Sequence, residues 1–237
     1  MPGRLYIVST PIGHAEDLTF RALRVLHDAH LIVAEHPAVT REFLMHLGLQ
    51  TPVTEYDPGK RTIRMLIAKL HEGNDLALVA DSGTPVLSDP GSRLIEEAWE
   101  GGVRVIPIPG PSAVLTALAA SGIGEGGFVF QGSLPRNAER GKRILMRLKT
   151  EPLPSFLLLE GKQLQAFLRS LRSIAPRRSI VVAVDLTTPA ERVVRGSLED
   201  VIRRTAKRRP GNDVTVIVEG VGRKENRTRL RRRGASG

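Results

Sequence analysis

No cysteine occurs among the 237 residues. That absence excludes disulfides and thiolate metal ligands, and it permits a reducing compartment without requiring one. Nor does any apolar run approach the roughly 18 residues of a membrane span. The opening MPGRLYIVSTPIG has too short an apolar stretch for a signal peptide. A cytoplasmic protein without membrane association is the resulting expectation. The six histidines show no close ligand spacing and have no cysteine beside them, so no metal site is expected. Lysine is missing from DSGTPVLSDPG, residues 81–91. With it goes the Gly-x-x-x-x-Gly-Lys-Ser/Thr pattern that cradles nucleotide phosphates.

What is present is a globular composition, 41% hydrophobic, in a chain long enough for one large domain or two small ones. The formal charge is +10, which points to a polyanionic partner. Residues 223–233 hold seven basic side chains and one acid, so +6 of the charge lies there and +4 in the rest of the chain. This segment reads as a solvated, disordered tail, with polyanion contact as an added role.

Short apolar runs alternate with amphipathic stretches from the start. RLYIVS, LIVAE, PVTEY, LALVA and VRVIPI read as strands. EDLTFRALRVLHDA, TREFLMHLG, TIRMLIAKLHEG and SRLIEEAWEGG read as the helices between them, and PSAVLTALAASG as the helix that follows the last strand. Such βαβα alternation predicts a mainly parallel sheet with covering helices. The run LALV has no polar face, as expected of a strand covered on both sides. A second series begins near Gly126, and there VVAVDL and RVVRGS are separated only by TTPAE, too short for a helical crossover. An antiparallel hairpin, and hence a mixed sheet, belongs in that half. The fold class expected is therefore α/β with two α/β domains, at 1–125 and 126–220, followed by a basic tail at 221–237. A cleft between the two domains is the natural pocket.

Three loops end predicted strands of the first half: STPIGHAEDLT, DSGTPVLSDPG and PGPSAV. Ligands of open α/β sheets bind outside the carboxyl ends of the strands, which is where these loops fall. Their prolines and glycines make stiff turns that let backbone groups approach a ligand closely. A tight βα connection uses the same residues, so each loop alone decides nothing. In order and spacing, however, LYIVSTPIGHAEDLTFRAL, LALVADSGTPVLSDPGSRLI, VIPIPGPSAVLTALAASG and FQGSLPR closely resemble the ribosomal RNA small subunit methyltransferase I family, related to the tetrapyrrole methylases.

The resemblance covers about residues 4–220, strongly as far as Arg136. It implies a tetrapyrrole-methylase-like fold of two domains, a homodimer, S-adenosyl-L-methionine as cofactor, and 2′-O-methylation of a cytidine in 16S ribosomal RNA of the small subunit. Pro11, Gly13, Asp81, Ser82, Gly83, Pro85, Ser112 and Ala113 are the cofactor-binding residues expected on these loops. Tetrapyrrole methylases usually carry a Gly-x-Gly-Pro-Gly-Asp first loop, which STPIGHAED does not match.

Elsewhere the chain departs from the family pattern. After the second strand, Glu35 is kept, but His36, Pro37 and Ala38 stand where Asp, Thr and Arg are expected. The Tyr-Glu-Ser-Pro-His-Arg segment is here LLEGKQL, with Glu160 kept, and Arg-Glu-Leu-Thr-Lys appears as AVDLTTPAE, with Leu186 and Thr187 kept. These changes leave a catalytically silent or retargeted cofactor- or RNA-binding relative as one alternative function, and a small-molecule, tetrapyrrole-type methylase as another.

A ribose hydroxyl attacks a methyl donor only as its proton leaves, so a base is useful. Glu35 and Glu160, each just past a strand, are candidates, and each also suits a helix cap or an ion pair. His14 and His36 beside the loops are the next candidates, because imidazole accepts a proton near neutral pH. Arg136, Arg140, Lys142 and Arg143 fit a solvated helix face and an RNA-backbone contact equally well. Arg227, Arg229, Arg231, Arg232 and Arg233 of the tail are the further RNA-binding candidates.

Overall fold

The structure is a computed structural model that describes residues 1–88, 90–124, 126–206 and 211–221. Its chain falls into two compact units, Met1–Ser112 and Ala113–Gly237.

The first unit alternates strand and helix throughout: β1 (Arg4–Val8), α1 (Phe20–Asp28), β2 (Leu31–Ala34), α2 (Pro37–His46), β3 (Val53–Glu55), α3 (Lys60–His71), β4 (Leu76–Val79), α4 (Ser92–Glu100) and β5 (Arg104–Ile108). All its strand pairs are parallel, in the order β3-β2-β4-β1-β5. Every residue of β4 is buried, because helices cover both faces of a central parallel strand. Leu5 and Leu78 pack with Ile63, Leu66 and Leu94 on one face. Val8 and Val79 pack with Ala22, Leu26 and Leu44 on the other.

Local chemistry sets the helix starts. Thr19 caps α1, its hydroxyl accepting from the Ala22 amide at 3.1 Å. Leu18, inside the stretch EDLTFRALRVLHDA, therefore precedes the helix, and Ala22, Val25 and Leu26 form its buried face. The second helix begins earlier than TREFLMHLG implied. Pro37 takes its first turn, where a missing N–H costs nothing. The segment HPA, at which the chain departs from the pattern of the family it resembles, is thus the N-terminus of α2.

The second unit comprises α5 (Ala113–Ser121), β6 (Val129–Ser133), α6 (Ala138–Thr150), β7 (Ser155–Glu160), α7 (Leu164–Ile174), β8 (Ser179–Val184), β9 (Arg192–Ser197), α8 (Leu198–Ala206) and β10 (Asp213–Val218). Its sheet runs β6-β7-β10-β8-β9. The β6 and β7 strands are parallel, and the other neighbours are antiparallel. The β8–β9 hairpin pairs Ser179 with Ser197 and Val184 with Arg192, as the short TTPAE connection required. Its core gathers Leu157, Leu168, Leu171, Val182, Val201 and Val216.

The units divide between Ser112 and Ala113, whereas the second series of strands and helices, beginning near Gly126, suggested a division near residue 125. The reason is α5, which packs against β10 and β7 and so joins the second unit, although in sequence it follows the last strand of the first. Residues 222–237, with Arg227, Arg229, Arg231, Arg232 and Arg233, lie outside the described residues. Among the described residues, no helix is long and apolar enough to cross a membrane.

Candidate functional site

Strands β4, β1 and β5 lie side by side, so the loops leaving their carboxyl ends start as neighbours. Those loops are tied to one another. The Thr10 amide donates to the Gly83 carbonyl at 2.9 Å, and the Gly83 amide returns a bond to the Thr10 carbonyl at 3.1 Å. The Thr10 hydroxyl donates to the Ala80 carbonyl at 3.0 Å. A hydroxyl relay reaches the third loop: Ser9 Oγ donates to Thr84 Oγ1 at 3.2 Å, and Thr84 Oγ1 donates to the Pro111 carbonyl at 3.1 Å. Ser9 and Thr10 are buried, so their bonds also satisfy polar groups removed from water.

Two glycines make the close approach possible. Gly83 has φ +80°, in the left-handed region, and a Cβ there would lie 3.3 Å from Ile12 Cγ2. A Cβ on Gly110 would lie 2.9 Å from Ser9 Cβ, closer than real side chains come.

The expected cofactor residues are thus mostly gathered. Pro11, Gly13, Asp81, Ser82, Gly83, Pro85 and Ser112 belong to the three joined loops, with Pro85 and Ser112 buried and Gly13, Asp81 and Ser82 exposed. Ala113 opens α5 and lies in the second unit. Ser9, Thr10 and Thr84 were missed by sequence reasoning. Their signal was a pair of hydroxyl residues directly after β1, in STP, and a threonine beside the glycine of the loop after β4, in SGTP.

The histidine at the head of α2 joins this group. His36 occupies the N-cap position but makes no side-chain cap; its Nδ1 instead lies 2.5 Å from Asp81 Oδ2. Both residues sit just past the carboxyl ends of adjacent strands, β2 and β4. That hydrogen bond, with the charge of Asp81, raises the His36 pKa above its ordinary 6.5. An imidazole oriented through one nitrogen by a carboxylate can take a proton at the other.

The remaining candidates have other surroundings. Glu35 is half-buried, and its carboxylate has no hydrogen-bond partner among the described residues. His14 is exposed and caps the short helical turn Ala15–Asp17, accepting from the Glu16 amide at 3.3 Å. Glu160 lies in the second unit and is strongly engaged. Its carboxylate meets Lys162 Nζ at 2.5 Å and Arg136 at 2.8 Å, and with Gln163 it forms a reciprocal capping box. The hydrogen bonds from Lys162 and then Arg136 hold its pKa below the usual carboxylate range, which weakens it as a base. Arg136 is thereby committed to Glu160, whereas Arg140, Lys142 and Arg143 are exposed on α6.

Parallel strands with joined loops at their carboxyl ends, followed by a mixed-sheet unit, are the architecture of a known class of methyltransferases. Residues 4–202 match the family Tetrapyrrole (Corrin/Porphyrin) Methylases. Diphthine synthase superposes with a TM-score of 0.71 at 16% identity, covering 92% of this chain and 90% of that one. A uroporphyrin-III C-methyltransferase from Thermus thermophilus, described as complexed with S-adenyl homocysteine, superposes with a TM-score of 0.60 at 22% identity, covering 93% and 99%.

Sequence relatives narrow the class. Ribosomal RNA small subunit methyltransferase I of Thermotoga maritima is 36% identical over 92% of this chain and 99% of its own length. Its counterpart in Halalkalibacterium halodurans is 37% identical over 94% and 78%. That of Escherichia coli O157:H7 is 36% identical over 92% and 78%. The chain belongs to the ribosomal RNA small subunit methyltransferase I family, within the tetrapyrrole methylases.

Proposed function

We propose that this protein is an RNA methyltransferase that modifies the 2′-oxygen of a cytidine in 16S ribosomal RNA. S-adenosyl-L-methionine is the methyl donor, and when bound it supplies an electrophilic methyl group on a sulfonium. The loop chemistry fits such a ligand: small side chains, prolines, acids and no lysine suit a zwitterionic, partly apolar molecule better than a polyphosphate. Pro11, Gly13, Asp81, Ser82, Gly83, Pro85, Ser112 and Ala113 hold it.

The observation that carries the mechanism is the His36–Asp81 pair beside the joined loops. Asp81 orients the imidazole through Nδ1 and raises its basicity, and His36 Nε2 receives the ribose hydroxyl proton as the oxygen attacks. Such help is typically worth about 10²–10⁴-fold in rate. Positioning by rigid loops supplies the rest, because an in-line displacement needs little covalent assistance. Arg140, Lys142 and Arg143, together with the arginines of 223–233, contact RNA phosphates and position the RNA without reading sequence. The family resemblance supports a homodimer working in the cytoplasm, where its RNA is.

The test is methyl transfer from labelled S-adenosyl-L-methionine to small ribosomal subunits that lack the modification, followed by nuclease digestion and mass spectrometry. Labelled 2′-O-methylcytidine in 16S RNA is expected. Label on a tetrapyrrole only, or none on RNA although the cofactor binds, would overturn the reading.

A further inference from the structure

The amino end of the first sheet carries an open basic recess. Arg4 and Arg104 face it from directly paired positions of β1 and β5, and Arg21 and Arg24 face it from α1. The half-buried Tyr6 and Ile106, paired two residues further along the strands, also line it. The three- and four-residue spacings of Arg21, Arg24 and Asp28 put all three on one helix face.

The acids facing the recess are Asp28 and Asp75, and both have other partners. Asp75 accepts from the Arg4 main-chain amide at 2.7 Å, and Asp28 meets His27 Nδ1 at 2.7 Å. Arg4 donates to the Tyr6 hydroxyl at 3.1 Å. Among the described residues, none of the four arginines forms an ion pair. Four exposed guanidinium groups around two engaged carboxylates repel one another, and a bound polyanion would relieve that repulsion.

We propose that this recess binds the phosphodiester backbone of RNA, anchoring the substrate away from the reacting nucleotide. Arginine suits it because its planar donor fork matches phosphate oxygens. The recess lies at the far end of β1 from the loops. Across its five residues at about 3.3 Å each, the two are separated by about 17 Å. RNA held there reaches the site as an extended substrate, with affinity supplied at a distance from the chemistry. The proposal rests on the reading of the chain as an RNA methyltransferase.

The full chain carrying R21A, R24A and R104A together is compared with the natural chain for binding to unmodified 16S RNA over a range of salt. Each lost phosphate contact removes about 0.7–0.9 from the slope of log affinity against log salt, so a slope shallower by about 2–3 is expected. Affinity at low salt should fall about tenfold or more, S-adenosyl-L-methionine binding should not change, and the triple Arg→Lys variant should keep most of the slope. An unchanged slope overturns the proposal. A change of oligomeric mass with unchanged slope also overturns it, and makes this face a contact between copies of the chain. If the natural chain binds 16S RNA but does not methylate it, the functional reading fails, while the slope comparison still decides the recess.

Discussion

His36 Nδ1 and Asp81 Oδ2 stand 2.5 Å apart, joining the head of α2 to the loop after β4. The aspartate raises the histidine pKa, first by hydrogen bonding and then by its charge. The pair therefore contributes stability that is fully present below the ordinary histidine value and is lost as pH rises through the raised one.

Asp81→Asn should return the His36 titration, followed by NMR, toward the ordinary value near 6.5. If His36 is the base as proposed, its neutral form is the active one, and turnover of the natural chain should rise with pH through the raised value. His36→Gln should lower the single-turnover rate about 10²–10⁴-fold with cofactor affinity preserved. A full rate in that variant removes His36 from the chemistry.

Glu160→Gln should behave oppositely, because Lys162 and Arg136 already occupy the carboxylate. Turnover should change by less than about threefold, far below the usual effect of removing a base. Its depressed pKa gives the ion cluster a stabilising effect that is present above the ordinary carboxylate value and lost as pH falls through the lowered one. A loss of rate as large as that of His36→Gln would move the base to Glu160.

Gly83→Val places a branched side chain at φ +80° and against Ile12. The left-handed backbone alone costs about 1–2 kcal/mol, and the paired loop must shift to admit the side chain. Calorimetry should show weakened binding of S-adenosyl-L-methionine, with a smaller loss for Gly83→Ala. Equal affinity in both variants would take Gly83 out of the cofactor site.

Arg178 holds the second unit together from a half-buried position. It donates to the Glu219 carbonyl and, at 2.9 Å each, to the carbonyls of Leu148 and Lys149. Arg178→Met leaves those carbonyls without a charged donor and should cost about 2–3 kcal/mol in urea unfolding of the full chain. Methyl transfer by the remaining folded fraction should be unaffected.

The local code of this chain is legible without coordinates. Alternating apolar runs and amphipathic stretches dictate β1 to β5 with helices between them, and the five residues of TTPAE force the β8–β9 hairpin. Ordered loop motifs give the family, because residues such as Gly83 answer a local backbone requirement. Tertiary structure alone decides the rest. Strand order makes neighbours of β4, β1 and β5, and of β2 and β4, so that Ser9 meets Thr84 and His36 meets Asp81, 45 positions apart. It also assigns α5 to the second unit, since what buries that helix is the distant surface of β7 and β10. Periodicity reports which face of an element is apolar, but the partner of that face, or of a polar group at a strand end, depends on packing between segments far apart in the chain.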